Sequence, residues 1–198
     1  MSELVSEQTK TPLVKVAEKK TTPSTDKSTK KIKVDKKAVR KEQNEEYLKN
    51  PNVSAFLKAI AAAEGGGYDF KFGAVKGKKN DPWRFTDYST HPGVGKDGKT
   101  TAAGMYQINT VTWKEMGGNM GLKDFSPHTQ DLMAVEIFRA QKAIGDIVDG
   151  NIEAGLSKCS HRWAALPKGK GQTGRYNQPY MEYDDFEAAF KANGGTVK

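Results

Sequence analysis

The sequence of 198 residues predicts an α+β fold, namely a mostly helical domain with a small antiparallel β-sheet, preceded by a disordered basic arm. Lysine-rich polar sequence fills the first quarter of the chain. A period-two run of aromatic residues follows the glycines at 65–67, which indicates short strands. Apolar residues at helical spacing, opened by capping residues, occupy most of the remainder. We therefore divide the chain into an arm, residues 1–49, and a domain, residues 50–198.

The arm carries most of the excess positive charge. Residues 1–50 hold 13 of the 32 lysine and arginine residues and about +5 of the net charge of +8. Few apolar side chains and high charge favour disorder, although charged helix formers favour some helix at 36–48. Two roles stay open for this arm: a solvated linker, or a segment that binds virion components or anionic envelope polymers.

The domain should open with a helix that ends on a carboxylate. Phe56, Ile60 and Glu64 fall at i, i+4 and i+8, so the acid shares a stripe with two large apolar side chains. Asn52 or Ser54 is the expected N-cap, and the triple glycine ends the helix. Partial burial and the helix dipole both raise the pKa of a glutamate, as a proton donor near neutral pH requires. The alternative is a glutamate on the shoulder of a frayed helix end.

Aromatic alternation then predicts the small sheet. Tyr68, Phe70 and Phe72 share one side of a first strand, and a second strand should contain Trp83 and Phe85. The polar and aromatic residues that follow are suited to sugars, because aromatic faces pack on C–H groups while polar side chains bind hydroxyls.

Start and stop signals of helices recur after residue 108. Asn109 or Thr110 should cap a short helix that the glycines at 117–118 end, Ser126-Pro127 should start a second, and Asn151 a third. A terminal helix is indicated by a last apolar stripe, which consists of Tyr183, Phe186 and Phe190.

Several classes of protein are disfavoured. Cys159 is the only cysteine, so no intramolecular disulfide is expected, and no apolar run long enough for a membrane span or signal core is present. The three histidines, His91, His128 and His161, lack ligand partners at metal spacing, so we expect no metal site. The sequence lacks the Ser-His-Asp order that would indicate a nucleophilic hydrolase. It also lacks the glycine motif that binds the phosphates of a nucleotide, and we expect no cofactor.

Three groups of segments together resemble the bacteriophage lambda endolysin-like family of lysozyme-fold lytic transglycosylases. The segments occur in the family's order from about residue 53 to the C-terminus; they are Phe56–Gly65, Phe85–Ser89 with His91-Pro92, Ala103–Ile108, Gly121–Pro127 with Gln130-Asp131, Cys159-Ser160 with Trp163–Pro167, and Phe190-Lys191 with Gly194–Val197. The arm has no counterpart in this resemblance.

The resemblance implies cleavage of the β-1,4 bond between N-acetylmuramic acid and N-acetylglucosamine in peptidoglycan, without net hydrolysis. In this family one glutamate at the end of the first helix acts as acid and then as base, and that position is Glu64. The nucleophile is the C6 hydroxyl of the muramic acid, which leaves a 1,6-anhydro end. A second carboxylate is therefore not needed, whereas a hydrolase would use one at roughly 5 Å or 6.5–9.5 Å.

Further substrate-binding residues follow from the matched segments. These are Asp87, Tyr88 and Ser89 after the sheet, Tyr106 and Gln107 in a Gly-x-Tyr-Gln-Ile stretch, and Tyr176 and Gln178 in a rearranged loop. Asp87 is also the best candidate for a second catalytic acid; the alternative is that it positions neighbouring groups or forms structural hydrogen bonds. Asp69 and Asp81 are weaker candidates for a second acid. A buried Tyr-Gln pair that ties the sheet to a helix is the alternative for Tyr106 and Gln107.

Three other functions stay open: a hydrolytic muramidase, a non-catalytic peptidoglycan-binding virion module, and nucleic-acid binding through the arm. The folded part offers no element that would read a nucleic acid, so no specific nucleic acid is expected. We expect a monomer that binds peptidoglycan glycan strands. It would reside in the host cytoplasm before lysis and act in the periplasm, or else travel with the virion.

Overall fold

In the computed structural model, residues 34–198 are described, and the N-terminal part of the predicted arm, residues 1–33, lies outside them. The described chain folds into seven helices: α1 (Lys36–Leu48), α2 (Pro51–Glu64), α3 (Thr110–Met120), α4 (Pro127–Ala140), α5 (Ile144–Val148), α6 (Ile152–Cys159) and α7 (Tyr183–Ala192). None of these helices is long and apolar enough to cross a membrane.

Helix α2 is central to the core. Its Phe56 is fully buried and makes edge-on contacts with Phe138 of α4 and with Phe186 and Phe190 of α7. Asn50 caps α2 by accepting from the N–H groups of residues 52 and 53, with Pro51 in the first turn. The expected caps Asn52 and Ser54 are therefore wrong, by two and four residues, because proline is well suited to the first helical position and the cap precedes it.

Helix α1 belongs to the folded unit, which begins at Val34 rather than near residue 50. Glu136 of α4 is fully buried and accepts from Arg40 Nε at 2.9 Å and from Asn44 Nδ2 at 2.9 Å, both on α1. The predicted arm is thus ordered over residues 36–48. The helix expected at residues 36–48 is therefore present. Composition could not show that it packs on the domain, because polar anchors rather than an apolar stripe hold it to α3 and α4.

The predicted small antiparallel sheet is not confirmed. The described residues contain no extended strand, only isolated antiparallel bridges, which include Phe70 with Arg84 and Lys71 with Ala103. The expected shared face fails as well, since Phe70 is buried while Phe72 is 40% exposed. Gly73, with φ +91°, turns the chain directly after these bridges, so the alternating residues do not continue as a strand.

The later helices largely start where their caps predict. Asn109, Ser126 and Asn151 cap α3, α4 and α6 through side-chain oxygens that accept from first-turn N–H groups. The predicted stop of α3 at residues 117–118 is wrong, because the helix runs through both glycines to Gly121, which adopts the left-handed conformation at φ +71°.

Candidate active site

Glu64 is the last residue of α2, and the glycines behind it determine its surroundings. Gly65 ends the helix in the left-handed conformation, with φ +61°, and its N–H donates to Ala61 O. The next residue, Gly66, lies against the backbone of the 104–105 segment, where a Cβ atom would come within 2.5 Å of Met105 O. Only glycine permits this approach, so the helix end and the 104–107 segment are held side by side.

The environment of Glu64 favours its neutral form. Burial of the half-buried carboxyl raises its pKa from 4.5 to about 7, and a backbone hydrogen bond from Ala165 opposes part of this shift. Desolvation penalises the charged form, whereas a donated hydrogen bond stabilises it. A carboxyl group with this pKa is suited to donate a proton near neutral pH and to accept one afterwards.

Tyr106 and Gln107 form the segment beside the helix end. Gln107 adopts a left-handed conformation, with φ +46°, and its Nε2 donates to Gly104 O at 3.0 Å. Tyr106 is buried, and its carbonyl accepts from Trp163 Nε1 at 2.9 Å. The segment is therefore fixed from both sides, and the two predicted residues lie next to the Glu64–Gly66 turn.

A carboxylate on α4 joins two tyrosine hydroxyls behind this segment. Asp131 Oδ1 accepts from Tyr106 Oη at 2.6 Å and from Tyr68 Oη at 2.9 Å. Burial raises the pKa of Asp131, and burial together with the nearby carboxylate raises the pKa of Tyr68 to about 12. Both hydroxyls therefore stay protonated as donors. Asp131 lies within a matched segment, but nothing in the sequence pattern indicates its contact with the two tyrosines.

Gln130, the neighbour of Asp131, connects three segments of the site. It is fully buried; its Nε2 donates to Tyr68 O and Phe125 O, both at 2.9 Å, and its Oε1 accepts from Met105 N at 2.8 Å. A buried amide with three partners is satisfied and rigid. The first turns of α4 thus set the position of both segments that flank Glu64.

The segment at residues 87–89 is more exposed. Asp87 Oδ1 accepts from Ser89 N at 2.8 Å, and hydrogen bonds from the hydroxyl and N–H of Ser89 lower the pKa of Asp87. Tyr88 packs edge-on against Phe85, and its carbonyl accepts from Phe125 N at 2.8 Å. Among the described residues no hydrogen bond or ion pair joins Asp87 to Glu64, so its local role is to shape the turn.

The other two candidate acids, Asp69 and Asp81, bind neighbouring groups of their own. Asp69 Oδ2 accepts from Arg84 Nε at 2.6 Å in an ion pair. Asp81 is buried, accepts from the N–H groups of Val75 and Trp83, and has its pKa lowered by these bonds. Glu64 differs from Asp81 and Asp87, because its pKa alone of the three is raised.

The loop between α6 and α7 carries the last two predicted residues. Tyr176 Oη donates to His161 O at 3.1 Å, and Gln178 N donates to Tyr176 O at 2.8 Å. The loop connects to Glu64 through Ala165, whose carbonyl accepts from Met181 N at 2.8 Å. Tyr176 and Gln178 are both exposed and line an open groove of about 710 Å³.

In the described part of the chain, the three histidines do not form a metal site. His91 is buried, accepts from Gly93 N at Nδ1 and donates from Nε2 to Ile108 O at 2.9 Å, while burial lowers its pKa. Across residues 34–198 no group of three or more histidine, cysteine, aspartate and glutamate side chains is placed to hold a metal ion.

Comparison with known proteins gives consistent matches. The family model described as Endolysin matches residues 54–197. The endolysin of Escherichia phage P2 is 36% identical over 140 residues, which cover 61% of this chain and 83% of that protein. The endolysin of Escherichia phage lambda is 35% identical over 163 residues, which cover 75% and 95%.

Solved structures agree with the sequence matches. Bacteriophage lambda lysozyme complexed with a chitohexasaccharide has a TM-score of 0.63 at 34% identity, and the match covers 75% of this chain and 97% of that one. A second structure of lysozyme from bacteriophage lambda has a TM-score of 0.61 at 32% identity. The range that the family model matches, residues 54–197, contains Glu64 and the segments around it.

Proposed function

This chain belongs to the Endolysin family, and from that premise we propose that it is a peptidoglycan lytic transglycosylase. It cleaves the β-1,4 bond between N-acetylmuramic acid and N-acetylglucosamine and leaves 1,6-anhydro-muramic acid ends. The solved lambda lysozyme in complex with a chitohexasaccharide supports a glycan strand as the substrate. The raised pKa of Glu64, at the end of α2 where Gly66 lies against the backbone of residues 104–105, is the observation that carries the proposal.

Glu64 acts first as the general acid. With a pKa of about 7 its carboxyl group is substantially protonated near neutral pH. It donates this proton to the glycosidic oxygen as the bond from C1 to that oxygen breaks, and the N-acetylglucosamine leaves as an alcohol. General acid catalysis of this kind typically contributes about 10²–10⁴-fold to the rate.

Glu64 then acts as the general base. Its carboxylate accepts the proton of the muramic acid C6 hydroxyl while that oxygen bonds to C1, which closes the 1,6-anhydro ring and restores the carboxylic acid. One proton leaves the enzyme and one returns, so no water is consumed. The hydrogen bond from Ala165 supports the ionised form between these two steps.

The remaining carboxylates favour this scheme over hydrolysis. A hydrolase of the two-carboxylate type pairs a protonated acid with an ionised nucleophile or base. Asp81 is buried with two backbone donors, Asp69 is paired with Arg84, and Asp87 is bound to Ser89. All three have local partners, which supports a mechanism in which the substrate's own hydroxyl is the nucleophile.

We assign substrate contacts to the residues around this acid. The half-buried Gln107 contributes to the wall of the site, and the buried Tyr106 supports that wall through its bond to Asp131. Tyr176 and Gln178 contact the strand from the α6–α7 loop, and the exposed turn at residues 87–89 extends the binding surface. Aromatic faces and amide groups are well suited to sugar rings and their acetamido groups.

Mass spectrometry of digested peptidoglycan tests the proposal. The expected products end in 1,6-anhydro-muramic acid, lighter by one water than the reducing ends a muramidase would leave. Reducing ends would show that the enzyme is a hydrolase. Binding of peptidoglycan without any cleavage would instead indicate a non-catalytic module.

A further inference from the structure

The groove in the α6–α7 loop is positively charged. Its lining includes Lys168 and Arg175 as well as Tyr176 and Tyr180, and contains no aspartate or glutamate. With a volume of about 710 Å³ the groove is large enough for a peptide segment rather than a single ion. Two cations without an acidic neighbour in the lining indicate an anionic ligand.

Arg175 is held in place by neutral acceptors. Its Nε donates to Ser160 Oγ at 3.3 Å and its Nη2 to Ser157 O at 3.1 Å, and Ser160 is fully buried. By contrast, Arg40, Arg84 and Arg162 each form an ion pair with a carboxylate. Within the part of the chain that the structure describes, Arg175 forms no ion pair. Its guanidinium group is therefore held in place by neutral acceptors, and no carboxylate in that part neutralises its charge.

The groove lies close to Glu64 along the chain. Ala165 hydrogen-bonds Glu64, and Pro167, two residues later, forms an antiparallel bridge with Gly174, the neighbour of Arg175. With about 3.8 Å between successive Cα atoms and about 5 Å across the bridge, the Cα atoms of Ala165 and Arg175 are at most about 17 Å apart. An extended peptide of three residues spans about 10 Å.

The substrate of the proposed reaction offers a matching anion. Muramic acid carries a peptide stem on its lactyl group, and that stem has free carboxylates. We propose that Arg175 and Lys168 bind a stem carboxylate of the muramic acid residue at the cleavage site, so that the groove selects peptide-bearing glycan strands. This inference rests on the proposed function. Arginine suits the role, because its planar donors bind a carboxylate in a bidentate manner.

Kinetics on two substrates test this inference. One is peptide-bearing glycan strands, and the other is the same strands after enzymatic removal of their stems. The R175Q variant removes the charge but keeps a polar side chain. We expect its KM for peptide-bearing strands to rise about tenfold at low salt, its KM for bare strands to stay unchanged, and the difference to shrink as salt screens the charge.

K170Q is the matched control, because Lys170 is in the same loop but lies over the Tyr183 ring rather than in the groove lining. It should leave both KM values unchanged. The charge-preserving R175K should recover part of the discrimination. Equal effects of R175Q on both substrates, or no effect on either, would overturn the inference while leaving the proposed function intact. If the wild type cleaves neither substrate, both the inference and the proposed function fail.

Discussion

At Glu64, burial disfavours charge on the carboxyl group and the N–H of Ala165 favours it. The sequence predicted a raised pKa from the stripe formed by Phe56, Ile60 and Glu64, and the structure has this shift with burial as its main cause. The helix dipole that we expected to contribute is not needed to explain it. The opposing contact from Ala165 lies 101 positions away in the sequence, and no local pattern could have indicated it.

The pH dependence of activity follows from this residue. The protonated carboxyl is the active form of the acid, and its pKa is about 7. We expect kcat/KM to fall about tenfold per pH unit above this value, as for any single essential acid. Rates of peptidoglycan cleavage from pH 5 to 9 would show this limb, with circular dichroism to confirm that the chain stays folded. A kcat/KM that keeps rising from pH 7 to pH 9 would contradict the role of Glu64 as the acid.

The E64Q variant separates chemistry from stability. Below pH 4.5 the Glu64 carboxyl is protonated in both folded and unfolded chains, so the substitution should hardly change the free energy of unfolding. Above about pH 7 it is ionised in both, and the folded state bears the cost of burying the charge. We therefore expect E64Q to raise the free energy of unfolding at pH 8 by about 1–2 kcal/mol after allowance for partial exposure, with little change at pH 4.

Urea denaturation at the two pH values measures this difference, and lytic activity is measured on the same samples. E64Q should lose at least about a hundredfold in activity, because glutamine keeps the shape but not the proton. A stable, folded E64Q variant with wild-type activity would remove Glu64 from the mechanism.

Among the elements, helix α1 was expected from its charged helix formers, but its packing on the domain was not. Glu136 is fully buried, and its partners include Arg40 and Asn44 from α1 and Asn119 from α3. Arg40 and Asn44 share a helix face but are polar, so a search for apolar stripes does not find that face, whereas helix α2 was predictable because its apolar stripe repeats. The same reasoning applies to the bridges around residues 70–103, where turns at glycines replace the strands that the aromatic alternation predicted.

Loss of the Arg40 side chain should destabilise the fold strongly. R40A leaves the Glu136 carboxylate buried without its cation, and we expect a cost of about 2–4 kcal/mol in the free energy of unfolding. K41A is the matched control on the same helix, because the pair of Lys41 and Glu45 is more exposed and should contribute less than about 1 kcal/mol. Equal costs for the two variants would show that Glu136 does not depend on Arg40.

For the whole molecule, the resemblance to phage endolysins is confirmed over residues 54–197, and the mostly helical fold is similar to that of lambda lysozyme. The matched segments were predictable because each carries several specific residues in order. The contact of Tyr68 with Asp131 was not, because it joins positions 63 apart through side chains that no periodicity relates. Because the compact unit starts at Val34, the basic N-terminal segment that can be deleted without loss of any part of this unit ends at residue 33.

Two truncations test that boundary. Deletion of residues 1–33 removes eight lysines and four acidic residues but no part of the compact unit, so stability should stay within about 0.5 kcal/mol. Deletion of residues 1–48 also removes α1 with Arg40 and Asn44, the two α1 partners of Glu136, and we expect at least about 3 kcal/mol of destabilisation. Thermal or urea unfolding of both variants measures this, and equal stability would place the boundary near residue 50 after all.

The shorter truncation also isolates the role of the N-terminal segment, which we propose binds virion components or anionic envelope polymers through its lysines. Deletion of residues 1–33 should weaken salt-sensitive binding to cell walls or incorporation into particles without changing kcat on isolated glycan strands. Unchanged binding and incorporation would leave the segment as a solvated linker.

The identity of the nucleophile tests the account most directly. Peptidoglycan digested by the wild-type enzyme in ¹⁸O-labelled water, followed by mass spectrometry of the new muramic acid ends, reports whether water or the C6 hydroxyl attacks C1. We predict 1,6-anhydro ends that carry no label, because the oxygen that bonds to C1 is that of the muramic acid C6 hydroxyl and no oxygen from water enters the product. Labelled reducing ends would contradict the account and show that the enzyme is a hydrolase.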